Sequence, residues 1–133
     1  MGHQTKELLL DNFFEIRAMD VINEQIEARI ALNAAHPVFK GHFPGNPIVP
    51  GVTMIQILKE LLSIELQCDL FLSKVNNAKF TAILNPKETP AVTVKVKVKE
   101  LEEKNSWKVQ GTIIEGETTY FKFMGIFLKT DLR

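Results

Sequence analysis

Residues 36–60 read HPVFKGHFPGNPIVPGVTMIQILKE, and this stretch decides how the rest of the chain can be arranged. Its first half holds four of the six prolines (Pro37, Pro44, Pro47, Pro50) and three of the seven glycines (Gly41, Gly45, Gly51). Proline fixes φ and removes a backbone donor, whereas glycine opens conformations that other residues avoid, so the loop is stiff at some points and tightly turned at others. From Gly51 the spacing becomes helical. Val52, Ile55, Leu58, Leu61, Leu62 and Leu66 form an apolar stripe, and Gln56, Lys59, Glu60, Ser63 and Gln67 a polar one. Met54, Ile57 and Ile64 fall outside that stripe, so more than half the circumference is apolar and the helix should be mostly buried, wrapped by a sheet.

The flanking segments supply that sheet. Before the loop, Phe13, Phe14 and Ile16 precede an alternation of Ile26, Ala28, Ile30 and Leu32 with polar neighbours, which predicts a hairpin turning near Asp20 to Glu24. After the helix, Val75 to Leu84 reads as a strand ending in a turn at Asn85-Pro86-Lys87. Val92, Val94, Val96 and Val98 alternate with Thr93, Lys95, Lys97 and Lys99, the mark of a strand with one wet face, and these lysines read as that solvated face. Turns at Glu102 to Asn105 and at Glu115 to Glu117 separate two further strands, carrying Trp107 to Ile113 and Tyr120 to Leu128. The last has Phe121, Phe123 and Phe127 on one face and Tyr120, Met124, Ile126 and Leu128 on the other, so a second copy of the chain is expected to cover part of the sheet. The fold class is α+β, one central helix in a curved antiparallel sheet.

At 133 residues this is one domain, with residues 1–11 as a lead-in. Sixteen basic and sixteen acidic side chains cancel, so the overall charge recruits neither nucleic acid nor an anionic membrane. No apolar run is long enough for a membrane span and no leader pattern opens the chain, which points to the cytoplasm. Cys68, the single cysteine, forms no internal disulfide and reads as a small packed residue among Leu66, Leu70 and Phe71.

Chemistry concentrates where the loop meets the helix. His42 sits in the stiff segment, and histidine titrates near neutrality, so a held imidazole can act as a general base, although it can equally serve packing alone. At Pro50-Gly51-Val52-Thr53 the unpaired N–H groups and the positive end of the helix dipole can hold a carbonyl oxygen as it gains charge. Gly51 has no Cβ to keep a substrate away. His36 and His42 lack a cysteine or acid to complete a metal site, and none is expected.

The segment from Phe39 to Val52, with its GHFPGxPxxPG core, resembles the loop of the β-hydroxyacyl-acyl-carrier-protein dehydratases, proteins of the hot-dog fold in fatty acid synthesis. Asn77-Ala78-Lys79-Phe80 followed by Asn85-Pro86 is similar to a later segment of that family, and the likeness runs over about residues 12–128. It implies a homodimer with sheets joined edge to edge, sites at the dimer interface, often a trimer of dimers, and no cofactor. It also implies that His42 removes the C2 proton of a 3-hydroxyacyl thioester carried by an acyl carrier protein or coenzyme A. Amides at Phe43 and Gly51 would polarise the thioester carbonyl, with Val52 beside them, while a carboxylate on the partner's helix helps the 3-hydroxyl leave.

One position departs from that pattern. Where the family has Glu or Asp, four residues after the valine of PGV, this chain has Gln56, which can orient a hydroxyl but cannot exchange a proton at neutral pH. Glu60, one turn further along, could substitute as the acid only for a substrate lying about 6 Å deeper. The expected function is dehydration to the trans-2-enoyl thioester. A degenerate acyl-thioester-binding subunit is the alternative, and a thioesterase a further one. Lys40, Lys79 and Lys87 could receive an acidic carrier protein.

Overall fold

The computed structural model describes residues 12–39 and 47–130. Strands β1 (Phe14–Ile22) and β2 (Gln25–Leu32) form the hairpin, a short 3-10 turn covers Pro37–Phe39, and helix α1 spans Gly51–Leu66. Strands β3 (Leu70–Phe80), β4 (Ala91–Glu100), β5 (Ser106–Glu115) and β6 (Thr118–Lys129) follow. All six join one sheet in the order β1-β2-β4-β5-β6-β3, and every neighbouring pair is antiparallel.

The hairpin closes more tightly than its sequence suggests. Strand β1 continues to Ile22, which pairs with Gln25. Only Asn23 and Glu24 remain for the turn, both at positive φ (52° and 66°), the conformation whose twist matches that of paired strands.

The alternating residues divide the sheet as their periods require. Ile26, Ala28 and Ile30 of β2, Val92, Val94 and Val96 of β4, and Phe121, Phe123 and Phe127 of β6 are buried on the inner face. The lysines of β4 lie on the outer face, where Lys95 pairs with Glu27 at 3.5 Å. Met124, Ile126 and Leu128 are half-buried there. Cys68 packs at the core's margin.

Helix α1 runs along the inner face with a different side inward than the sequence suggests. The buried set is Met54, Ile57, Leu58, Leu61 and Leu62. Val52, placed at the head of the apolar stripe by spacing, is 74% exposed, and Ile55 and Leu66 are half-buried. Most of the circumference is at least partly covered, as expected, but a helix apolar over more than half its circumference does not specify which side the sheet takes. Gly111 on β5 helps fix it: a Cβ there would lie 2.6 Å from Leu58 Cδ1, so the missing side chain is the socket for the leucine.

The strand expected at Val75 to Leu84 begins earlier and ends sooner. Strand β3 starts at Leu70 and stops at Phe80, with register shifts between Leu72 and Lys74 and between Val75 and Asn77. Each bulge inserts an unpaired residue and breaks the period of two that a sequence reading relies on. Leu84 is fully buried but belongs to the connection before β4. The turn at Asn85 forms as its residues predict, with the Asn85 side-chain oxygen accepting the N–H of Lys87 at 2.9 Å.

Candidate active site

The loop reaches the helix through Pro47 to Pro50. Pro47 and Val49 are buried, and the Val49 N–H donates to the Leu84 carbonyl at 2.9 Å. Pro50 caps the helix with extended backbone (φ −66°, ψ 151°) and no side-chain hydrogen bond. The N–H groups of Thr53 and Met54 both turn back to the Pro50 carbonyl, at 3.1 and 3.2 Å. The amides of Gly51 and Val52 are left without a partner among the described residues, because the first N–H groups of a helix have none within it. No acidic residue stands in the first turn, so no side chain of that turn offsets the positive end of the dipole. An oxygen gaining negative charge is what such a terminus stabilises.

Gly51 has a packing role. The Phe80 ring packs where a Cβ would be, its Cζ 2.6 Å from that position. Phe80 also stacks on Phe121, centroids 4.9 Å apart and planes 16° apart. The sequence likeness spanned both segments, and the fold brings them together: Val49 meets Leu84, and Gly51 meets Phe80. Sequence reading gave Phe80 no part in the site; its place in the second motif was the available signal.

Gln56 lies on α1 about 7.5 Å along the axis from Gly51. It is half-buried, and its Nε2 donates to Glu60 Oε2 at 3.2 Å. Both line a trough of about 780 Å³ that also touches Lys59, Ser63, Cys68 and Asp69. Gly51, Val52, Gln56 and Glu60 thus lie along one stretch of helix. His42, Phe43 and Lys40 fall outside the described residues. Lys79 pairs in register with Lys122 on the outer face of the sheet, and Lys87 is exposed at the Asn85 turn.

His36 has a structural occupation. Its Nδ1 accepts the Val38 N–H at 3.0 Å, and its ring meets Phe13 edge-on, centroids 5.4 Å apart. That nitrogen is therefore not free to bind a metal. Among the described residues no group of three or more metal-ligating side chains comes together.

Known proteins with the same features decide the family. The family model described as ApeI dehydratase matches residues 18–119. The chain belongs to the ApeI-like dehydratase family. It is 31% identical over 124 residues to a 3-hydroxyacyl-[acyl-carrier-protein] dehydratase, FabZ, of Rickettsia felis, covering 86% of this chain and 81% of that one. Among solved structures, the dehydratase heterocomplex ApeI:P from Xenorhabdus doucetiae superposes with a TM-score of 0.62 at 19% identity, over 86% of this chain and 96% of that one. The dehydratase domain of the CurJ module of curacin polyketide synthase gives 0.57 at 15% identity, over 89% of this chain and 42% of that one. This ApeI-like dehydratase therefore has the hot-dog fold, the helix being the filling and the six-stranded sheet the bun. No helix among the described residues is long and apolar enough to cross a membrane.

Proposed function

We propose that this chain dehydrates a 3-hydroxyacyl thioester, carried by an acyl carrier protein or coenzyme A, to the trans-2-enoyl thioester. The uncapped start of α1 carries this reading. Two amides and the positive end of the dipole converge there, beside the two segments that resemble the dehydratases. The similarity to FabZ, named for the acyl-carrier-protein-linked reaction, supports the substrate class.

In this reading the Gly51 and Phe43 amides, with Val52 alongside, hold the thioester oxygen and stabilise the enolate as it forms. His42 takes the C2 proton. The 3-hydroxyl is bound by Gln56 from the helix of a paired copy, and the C3–O bond breaks as the C2–C3 double bond forms. Gln56 has no proton to give at neutral pH, so the His42 imidazolium returns the abstracted proton to the departing oxygen, which leaves as water. Every atom is accounted for without a cofactor or metal.

The paired copy is read from the sheet edge. Strand β3 ends the sheet on one side and exposes Phe71, Val75 and Phe80, each about half accessible. An exposed apolar edge is one that a second strand completes. We read the assembly as a homodimer through β3, able to associate further as a trimer of dimers, in the cytoplasm. Lys40, Lys79 and Lys87 offer charge to an acidic carrier protein.

Turnover of 3-hydroxyacyl carrier-protein substrates tests the function. Loss of enoyl product in His42→Ala by about 10² to 10⁴ is expected, and undiminished dehydration refutes it. A second reading, an acyl-thioester-binding subunit that pairs with an active paralogue, is favoured by the Gln56 amide itself. Its mark is a wild-type chain without activity that gains it on Gln56→Glu. Release of free thiol from an acyl-CoA would instead indicate a thioesterase.

A further inference from the structure

The geometry points to Glu60 as a positioning residue that fixes which end of the Gln56 amide meets the substrate; the inference rests on the dehydratase reading above. An amide side chain is nearly symmetric in shape but opposite in chemistry at its two ends, with an NH2 that only donates and an oxygen that only accepts. Left free, Gln56 could offer either to a 3-hydroxyl. Glu60 removes the choice. Its carboxylate has no hydrogen to donate, so only the NH2 can face it, and Gln56 Nε2 does so at 3.2 Å.

Glu60 lies one turn toward the C-terminal end, so it draws the amide nitrogen away from the helix start. The oxygen, on the opposite branch of the planar group, is left turned away from Glu60 and able to accept, which is the end a 3-hydroxyl in the paired copy's site would meet. Both side chains are half-buried and line the same trough.

The consequence concerns the leaving group. A hydroxyl that donates its hydrogen to Gln56 Oε1 keeps its lone pairs free for the proton coming from His42. A reversed amide would donate to those lone pairs and compete with that proton. Glu60 then never touches substrate, and its carboxylate is not a displaced version of the family acid. It is the reason a glutamine can stand at position 56.

A mutant cycle on kcat tests this, with wild type, Glu60→Leu, Gln56→Leu and the double variant assayed on a 3-hydroxyacyl carrier-protein substrate. Glu60→Leu should lower kcat by about tenfold to 10²-fold while moving KM less than about twofold, the scale expected for misaiming a group without removing it. In the Gln56→Leu background the same change should alter kcat by less than about twofold, because no amide remains to aim. Glu60→Met replaces Glu60→Leu if the latter does not fold. The side-chain ¹⁵N–¹H signals of Gln56, identified by their loss in Gln56→Leu, should shift in Glu60→Leu.

Three results overturn the proposal while leaving the reaction intact: full kcat in Glu60→Leu, an equal loss in the Gln56→Leu background, or unmoved amide signals. A wild-type chain without dehydration, or one indifferent to His42→Ala, overturns the functional reading and the proposal together.

Discussion

The backbone N–H of Val49 donates to the carbonyl of Leu84 at 2.9 Å, tying the last residues of the loop to the segment between β3 and β4. Val49 is 2% exposed and Leu84 fully buried. Val49→Pro deletes the donor and strands a buried carbonyl, so it should cost about 1–3 kcal/mol more than Val49→Ala, which removes only side-chain packing. Chemical denaturation of both variants gives the comparison. Equal stabilities would mean that the carbonyl finds another donor.

Gly51 and Phe80 make a second prediction. A methyl at position 51 displaces the Phe80 ring from its stack on Phe121. The ring is half-exposed and can swing out, so Gly51→Ala should cost only about 1 kcal/mol in stability. Turnover should fall more than stability, by about tenfold, because the displaced ring disturbs the wall beside the free amides. Gly51→Ala/Phe80→Ala should melt closer to Phe80→Ala than the single cost implies. Wild-type rates in Gly51→Ala would disprove the link.

Gly111 and Leu58 should couple more strongly, since both lie in the core. Gly111→Ala overpacks the socket and should cost about 1–3 kcal/mol. Leu58→Ala alone should cost about 2–5 kcal/mol through the cavity it leaves. Combined, the two should destabilise by less than their sum, with a coupling of about 1 kcal/mol. Strict additivity in urea melts would show that the residues do not share the space.

Strand β3 predicts the behaviour of the assembly. Val75, 46% exposed on that edge, can be changed to Lys with little effect on the protomer. Light scattering should show Val75→Lys shifting from dimer toward monomer, with dehydration lost in parallel. A dimeric Val75→Lys with full activity would place the interface elsewhere.

Acid stability follows from the outer face. The Arg29 guanidinium meets Glu115 with both terminal nitrogens, one of them 3.2 Å from Oε2. That hydrogen bonding holds the Glu115 carboxyl below its ordinary value of 4.5 against a smaller opposing effect of burial. The folded state thus binds this proton less readily than the unfolded chain. The contribution is complete above pH 4.5 and is lost as pH falls through the lower folded value. Thermal melts taken from neutrality into that range should converge for wild type and Glu115→Gln as the acid limit is reached. A constant gap between the two curves would be inconsistent with the linkage.

Much of this architecture is legible in the chain because a sheet with one wet face writes its period directly. The valines of β4 and the phenylalanines of β6 face inward as their alternation requires. What is hidden has physical causes. Helix α1 is apolar on most sides, so spacing alone picked Val52 as core and left Met54 and Ile57 aside, when the socket at Gly111 decides the face. Strand β3 carries two bulges, and each resets the alternation that would have marked Leu70 as its start. Gly51, Gln56 and Glu60 were singled out from residue type and from the family resemblance, whereas the hydrogen bond between the last two and the Phe80 ring over the first are tertiary facts.

The position of Phe80 has an effect beyond packing. Its backbone belongs to the strand at the open edge of the sheet, and its ring forms part of the wall at the helix start, so whatever seats on that edge also presses on the wall. Specific activity should therefore fall on dilution before any loss of helical signal, and a ligand held at the amides should tighten the association of protomers by the same factor that association tightens the ligand. In the proposed dimer, catalytic competence and quaternary structure would be two readings of one equilibrium.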